Sequence, residues 1–265
     1  MPHSILDWSS IEPFVGHVPT ALLRIPYRKL ARFHPAQIAD LVEAASHDEG
    51  EEIIDAVGDD SALEADVFEE LDPEHQLEFL RSRSNSEAAA LLANMAPDDA
   101  ADLLVELDQD RRLPVLSLLP PSKQRKLRSL LAYNPETAGG LMSPDFLCMS
   151  ETTSVGQALE QVRRAPTPDV LQVVFAVDIG GRLSGSATVV RLLRADPAVV
   201  LAQVVESDPP RVRPDADVHQ VLRIMADYNL TALVVVDAAD QMVGVITVDD
   251  VLELLLPTGW RREVP

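Results

Sequence analysis

Short apolar stretches recur every twelve residues through the first half of the chain. The clearest units begin at Leu71, Arg83, Met95, Leu107 and Leu119. The seventh and tenth positions of the best copies are apolar or small, and the pairs are Leu77 with Leu80, Ala89 with Leu92, Ala101 with Leu104, and Leu113 with Leu116. A spacing of i, i+3 places both members of each pair on one face of a short helix. The pattern therefore predicts one short helix and one turn per unit.

A proline or a polar residue stands near the start of each unit, where it can begin or cap a helix. A helix of two turns cannot bury its apolar face alone, so successive units must stack into a continuous array. The sequence therefore predicts an all-helical superhelix of short repeats over residues 33–132. Residues 1–32 lie outside the repeat and form an N-terminal extension.

The pattern changes after "YNPETAGGLMSP". Gly139 and Gly140 suit a helix end and a tight bend at positive φ. Residues 133–141 are therefore predicted to be a linker.

Two later passages, residues 173–193 and 233–255, match each other. In both, a β-branched run ends in Asp, a polar turn follows, and a second strand leads through a Thr into a helix. An amphipathic helix precedes each passage, which predicts a duplicated β-α-β-β-α unit. The predicted boundaries are 142–200 for the first copy, 201–256 for the second and 257–265 for a C-terminal tail. The fold class is multi-domain α plus α/β.

The net charge of −21 adds a functional constraint. It argues against nucleic acid as a partner, because Lys and Arg hold the phosphate backbone, and it favours positive ions. Residues 40–110 contain 23 Asp or Glu against two basic residues, Arg81 and Arg83. The apolar runs are too short to cross a bilayer. The single cysteine, Cys148, excludes an internal disulfide, so a cytoplasmic location is the simplest expectation.

Two groups of carboxylates are candidate ligands. Asp98 and Asp102 are spaced i, i+4 in "PDDAADLL", and they can bind metal or stabilise a helix start. In "TVDDVLE", Asp249 is predicted to serve the start of a helix. Asp250 is predicted to face the same way as Glu253, at i+3, and to serve a ligand.

Three stretches resemble a CBS-domain pair: "MSPDF" at 142, "VRPDADVHQVLRIMADYNLTALVVVD" at 212–237, and "GVITVDDVLELL" at 244–255. Together with the acidic helical repeats and "YNPETAGGLMSPDF", the arrangement is similar to the cytosolic portion of MgtE-type magnesium transporters. The resemblance covers roughly residues 33–256.

The resemblance implies a Mg²⁺-sensing regulatory module that binds divalent cations between acidic N-domain and CBS faces to gate transport. It also implies a homodimer joined through the CBS domains, with the transmembrane pore domain absent from this chain. By position, Asp217, Asp250 and Glu253 match acidic positions of the family's second CBS domain. Asn229 and His219 depart from acidic positions expected there.

The alternative is a free-standing CBS-pair sensor of an adenine nucleotide. CBS pairs hold such ligands through "G-x-x-T-x-x-D", which the second copy keeps as Gly244, Thr247 and Asp250. The first copy has Arg191 in place of the acid, so at most one site should be competent. The chain lacks "HExxH", a nucleophile elbow and a P-loop, and it is not expected to be an enzyme. His34, His47 and His75 are interpreted as surface or turn residues.

Overall fold

The computed structural model describes residues 30–165 and 172–255, without the side chain of Glu253. The chain divides into two compact units, one up to Arg125 and one from Lys126 to Leu256. The predicted N-terminal extension lies almost wholly outside the described residues, and the predicted C-terminal tail lies outside them completely.

Short helices make up the first unit. Their bounds are α1 Pro35–Ala44, α2 His47–Val57, α3 Ser61–Glu70, α4 Pro73–Ser82, α5 Asn85–Asn94, α6 Pro97–Glu106, α7 Gln109–Leu118 and α8 Pro121–Leu130. From α3 to α8, each helix begins twelve residues after the one before it. The predicted all-helical repeat is confirmed.

Most helices of the first unit pack on alternate neighbours, whereas α2 packs on the adjacent helices α1 and α3. The contacts join α1 to α3, α3 to α5, α5 to α7, and α4 to α6. The tenth position of the repeat supplies a line of buried side chains: Phe68, Leu80, Leu92, Leu104 and Leu116. A short helix that would be unstable alone is thus stabilised by burial against its neighbours.

The seventh position is less regular than the sequence predicts. Ala89 and Ala101 are buried, but Leu113 is 69% exposed. The sixth and seventh positions of the repeat are alanines in the units of α5 and α6, which allow close packing, whereas in the unit of α7 they are Arg112 and Leu113. In α7 only Val115 and Leu116 are buried, so the prediction that Leu113 faces the core is wrong.

Capping follows the predicted chemistry. Proline is the first residue of α1, α4, α6 and α8, where its missing N–H leaves no helical hydrogen bond unmade. Asp60, Asp72 and Ser84 accept hydrogen bonds from the first backbone amides of α3, α4 and α5.

The second unit contains the short helix α9, Ala138–Leu141. The prediction of positive φ at Gly139 and Gly140 is wrong, because Gly181 is the glycine with positive φ among the described residues. Glycine is required at both positions because neighbouring atoms leave no room for a Cβ. A Cβ at Gly139 would lie 2.7 Å from the Tyr133 ring, and one at Gly140 would lie 2.5 Å from the Cα of Pro135.

A repeated strand and helix order follows. The first copy comprises β1 Leu147–Ser150, α10 Val155–Arg164, β2 Val173–Val177, β3 Leu183–Thr188 and α11 Val189–Leu193. The second comprises β5 Arg211–Val212, α12 Val218–Tyr228, β6 Ala232–Val236, β7 Met242–Thr247 and α13 Val248–Glu253. A 3₁₀ turn, Leu201–Gln203, and β4, Glu206–Ser207, lie between the copies. The predicted duplicated β-α-β-β-α unit is confirmed.

The two copies have the same sheet topology. In the first sheet the strand order is β1-β2-β3-β4, and in the second it is β5-β6-β7. Each copy pairs its first two strands in parallel and its hairpin strands antiparallel. A shared core joins Phe175 and Leu183 of the first copy to Val234, Val236 and Val245 of the second. The exact domain boundaries stay predictions.

Candidate functional site

The start of α6 is the acidic feature that the sequence singles out in the first unit. Asp98 and Asp99 occupy its first turn. Its N-cap residue, Ala96, has no side-chain acceptor, and the Ala96 N–H instead donates to Glu69 Oε1 at 2.5 Å. The Lys123 ammonium donates to the neighbouring carbonyl of Met95. A carboxylate from α3 therefore completes the cap of α6.

Carboxylates near α6 are held in an environment that disfavours their charged form. Desolvation by burial raises the pKa of Glu69 to about 7, with further rises from the charges of Asp66 and Asp98. The hydrogen bond from Ala96 and the charge of Lys123 act in the opposite direction. Burial is thus the main reason that the charged form of Glu69 is disfavoured, and the nearby charges of Asp66 and Asp98 add to the effect.

Asp102 lies one turn after Asp98 on α6, as the sequence predicts. Desolvation raises the pKa of Asp102 to about 6, and the carboxylate of Glu106 adds to the rise. The Asp102 side chain is nevertheless exposed, so solvent screens its charge and limits the effect on stability. Asp98 is half-buried and Asp102 is exposed, so solvent reaches both, as suits an ion that keeps several of its waters.

Asp217 begins α12 in the second unit. It is the N-cap residue, and its carboxylate accepts a hydrogen bond of 2.9 Å from the backbone N–H of Gln220. At the other end of α12, Asn229 adopts a left-handed conformation with φ of 50°. Asn tolerates this conformation better than most residues, but so does Asp, as Asp208 and Asp240 show with φ of 56° and 60°, so the backbone does not require a non-acidic residue here.

The adjacent aspartates at the start of α13 differ from the prediction in which of them caps the helix, and the ligand role of Asp250 stays a prediction. Thr247 and Asp250 form a capping box, in which Asp250 Oδ2 accepts from the Thr247 backbone N–H at 3.1 Å and from its hydroxyl at 2.5 Å. The role at the helix start therefore belongs to Asp250, and exposed Asp249 lies beside it. The sequence pattern misassigned the role because the third helical residue, not the second, reaches back to the cap. The side chain of Glu253 lies outside the described part of the structure.

The first copy has a different arrangement at the corresponding position. The Arg191 guanidinium forms an ion pair of 2.5 Å with Glu206, while the Arg191 backbone N–H donates to Thr188 Oγ1. A cation therefore occupies the place that Asp250 has in the second copy.

Sequence reasoning missed Glu69. It lies 27 residues before its partner Ala96, and no local pattern links the two. The one available signal was the missing cap at Ala96, since an uncapped helix start needs an acceptor from elsewhere.

The fold and its carboxylates define a class of protein: an acidic helical-repeat domain followed by a CBS-domain pair. The family model described as the MgtE intracellular N domain matches residues 33–136, and the CBS domain matches residues 138–198 and 201–257. The chain belongs to the MgtE family.

Curated relatives agree with this assignment. The magnesium transporter MgtE of Thermus thermophilus is 34% identical over 200 residues, which are 73% of this chain and 44% of the relative. The MgtE of Bacillus subtilis is 23% identical over 72% of this chain and 43% of the relative. The chain thus spans less than half the length of these transporters.

Two solved structures have the same fold. The cytosolic domain of the Mg²⁺ channel MgtE in complex with ATP is 31% identical, with a TM-score of 0.80 over 86% of this chain and 93% of that one. The soluble part of a magnesium transporter is 26% identical, with a TM-score of 0.78 over 86% of this chain and 90% of that one. Within residues 30–165 and 172–255, no helix combines the length and apolar character needed to cross a membrane.

Proposed function

We propose that the chain is the Mg²⁺-sensing regulatory module of an MgtE-type magnesium transporter and acts on the cytoplasmic side of the membrane. The ligands are carboxylates of the helical repeats and of the second CBS domain: Asp98, Asp102, Asp217, Asp250 and Glu253. The crowded acidic start of α6 carries this proposal. Burial raises the pKa of Glu69 beside this helix start, and the pKa of Asp102 is raised one turn further along, which supports a positive partner near α6.

Mg²⁺ suits these positions because it prefers oxygen ligands, keeps several waters and commonly uses only one or two carboxylates. Asp98 and Asp102 offer such ligands on successive turns of one helix. An ion that neutralises them stabilises the folded chain by mass action. Binding of Mg²⁺ then changes the stability of the regulatory module, and this change gates transport.

Thermal unfolding tests the Mg²⁺ proposal. Mg²⁺ should raise the melting temperature more than NaCl of equal ionic strength does, and Asp98→Asn combined with Asp102→Asn should remove most of that gain. Asp110→Asn is the matched control, because Asp110 is the second residue of α7 as Asp98 is of α6. Equal effects of the two salts, or equal losses in the control and the double variant, would reject the site.

We also propose that the module forms a homodimer through its CBS domains. Val190 and Leu193 of α11 and Leu252 of α13 are each more than half exposed, and exposed apolar side chains on the corresponding helix of both copies support a partner there. Light scattering of the purified chain should give the mass of two chains. Leu193→Lys with Leu252→Lys should give a monomer, whereas Leu113→Lys on the exposed side of α7 should not change the mass.

Adenine nucleotide binding is the second candidate. The relative that is 31% identical was solved with ATP, and Thr247 and Asp250 keep the expected residue types. We propose one nucleotide site per chain, in the second CBS copy. Calorimetry with ATP should give one site that Asp250→Ala abolishes and Arg191→Ala preserves. Two equivalent sites per chain would contradict this.

A further inference from the structure

Three potential metal ligands of mixed chemistry meet at the start of α4. Glu43 belongs to α1, Asp72 is the N-cap of α4, and His75 is the third residue of α4. One ligand atom from each lies within 4.8 Å of the other two. The side chains of His75 and Asp72 are 20% and 19% exposed, so a small ion can reach a site whose walls are protein.

Contacts with the backbone and with an aromatic ring hold these ligands in place. Glu43 Oε1 accepts from the Asp72 backbone N–H at 2.7 Å, and Asp72 Oδ1 accepts from the His75 backbone N–H at 3.0 Å. The His75 ring stacks on Phe79 with the centroids 6.2 Å apart. Ligands fixed by such neighbours lose little freedom when an ion binds.

The second oxygen of Asp72 completes the arrangement. Asp72 Oδ2 lies 3.0 Å from His75 Nδ1, while Oδ1 serves the helix start. Two ligands about 2.1 Å from one ion lie about 3.0 to 3.4 Å apart in octahedral or tetrahedral geometry. The Nδ1 to Oδ2 spacing therefore fits a shared ion, which binds the Nδ1 lone pair while the neutral imidazole keeps its single proton on Nε2.

The imidazole of His75 favours a transition-metal ion over Mg²⁺. Mg²⁺ is a hard cation that takes oxygen ligands, whereas imidazole with carboxylates suits Zn²⁺ and related first-row ions. We propose that Glu43, Asp72 and His75 form a site for a divalent transition-metal ion, with Zn²⁺ as its probe, separate from the Mg²⁺-binding carboxylates. Such an ion links α1 to α4 across 29 residues of chain.

Helix capping alone also explains part of this geometry, and two substitutions separate the explanations. Asn caps helices about as well as Asp, so Asp72→Asn keeps the cap but loses a charged ligand. His75→Gln leaves the backbone N–H that Asp72 caps and removes the imidazole. If the cluster is only a cap, neither substitution should affect metal binding.

The test uses the full chain after chelator treatment, titrated with Zn²⁺ in millimolar Mg²⁺ and, separately, with Co²⁺ for its visible absorption. His75→Gln and Asp72→Asn should each weaken one Zn²⁺ site about 100-fold or more, and should remove the corresponding Co²⁺ band. Their melting temperatures in chelator should stay close to that of the wild type.

His47→Gln is the matched control, because His47 stacks on the same Phe79 ring at 5.3 Å and pairs with Glu78. It should keep the Zn²⁺ site. His3 and His17 are present in every variant, so any Zn²⁺ binding by them is the same in all variants and does not affect the comparison.

The proposal is overturned if His75→Gln binds Zn²⁺ as the wild type does, if His47→Gln loses as much affinity, or if millimolar Mg²⁺ displaces Zn²⁺. The Mg²⁺-dependent rise in melting temperature should persist in His75→Gln. Failure of the zinc site and failure of the Mg²⁺ sensor are therefore distinguishable.

Discussion

Two adjacent aspartates at the start of α13 have different neighbours, and their substitutions should differ accordingly. Asp250 accepts two hydrogen bonds from Thr247, whereas Asp249 is exposed in the same turn. Asp250→Ala should therefore lower the free energy of unfolding by about 1 kcal/mol in metal-free buffer, as measured by urea unfolding. Asp249→Ala is the control and should cost clearly less. A larger loss in Asp249→Ala would show that the capping box does not form in solution.

Glu69 should make stability depend on pH. Burial raises its pKa from 4.5 to about 7, so between these values the folded chain binds a proton that the unfolded chain has released. Stability from this residue is present below pH 4.5 and is lost as the pH rises through about 7. Glu69→Gln should flatten this fall in melting temperature between the two pH values.

The neighbouring substitution, Glu70→Gln, provides the comparison for Glu69. Both variants remove one carboxylate from the end of α3, so they share any effect of net charge. If the two pH profiles of the melting temperature coincide, the burial of Glu69 has no energetic consequence.

At the scale of elements, the turn that leads into α9 depends on a missing side chain. A Cβ at Gly140 would lie within 2.7 Å of three backbone atoms, which cannot move aside as a flexible side chain can. Gly140→Ala should therefore cost about 1–3 kcal/mol or more of unfolding free energy. The control is Gly58→Ala, where φ is −62° and the nearest atom is 3.5 Å away. It should be neutral or stabilising by up to about 1 kcal/mol, and equal losses in the two variants would contradict this account.

The sequence predicts the elements well where one local pattern determines them. The twelve-residue period predicted the helices, because the turn residues and the buried tenth position repeat together. The strand and helix order of the CBS pair was predicted because the same pattern occurs twice in the sequence. Contacts distant in sequence could not be predicted, such as the approach of the Pro214 carbonyl to Gly139 or the pairing of Glu69 with Ala96. For the same reason, the three ligands at the start of α4 were not recognised as a group.

At the scale of the whole molecule, the charge of −21 should make stability depend on salt. Repulsion among carboxylates is greatest where they are densest, in residues 40–110, and monovalent salt screens it over about 10 Å at 0.1 M. Raising NaCl from low to physiological concentration should therefore raise the melting temperature, as scanning calorimetry can show. A fall would mean that the ion pairs stabilise the fold more than the excess negative charge destabilises it.

Alternate packing in the first unit divides its helices into two rows. From α3 to α7 the contacts join α3 to α5, α5 to α7, and α4 to α6, so odd and even helices of this stretch belong to different rows. Loss of one twelve-residue unit, such as residues 85–96, would move every later helix into the opposite row, and its buried face would meet the wrong neighbours. Loss of two consecutive units, residues 85–108, would keep every later helix in its own row. The domain can therefore be shortened or lengthened without repacking only in steps of two helices.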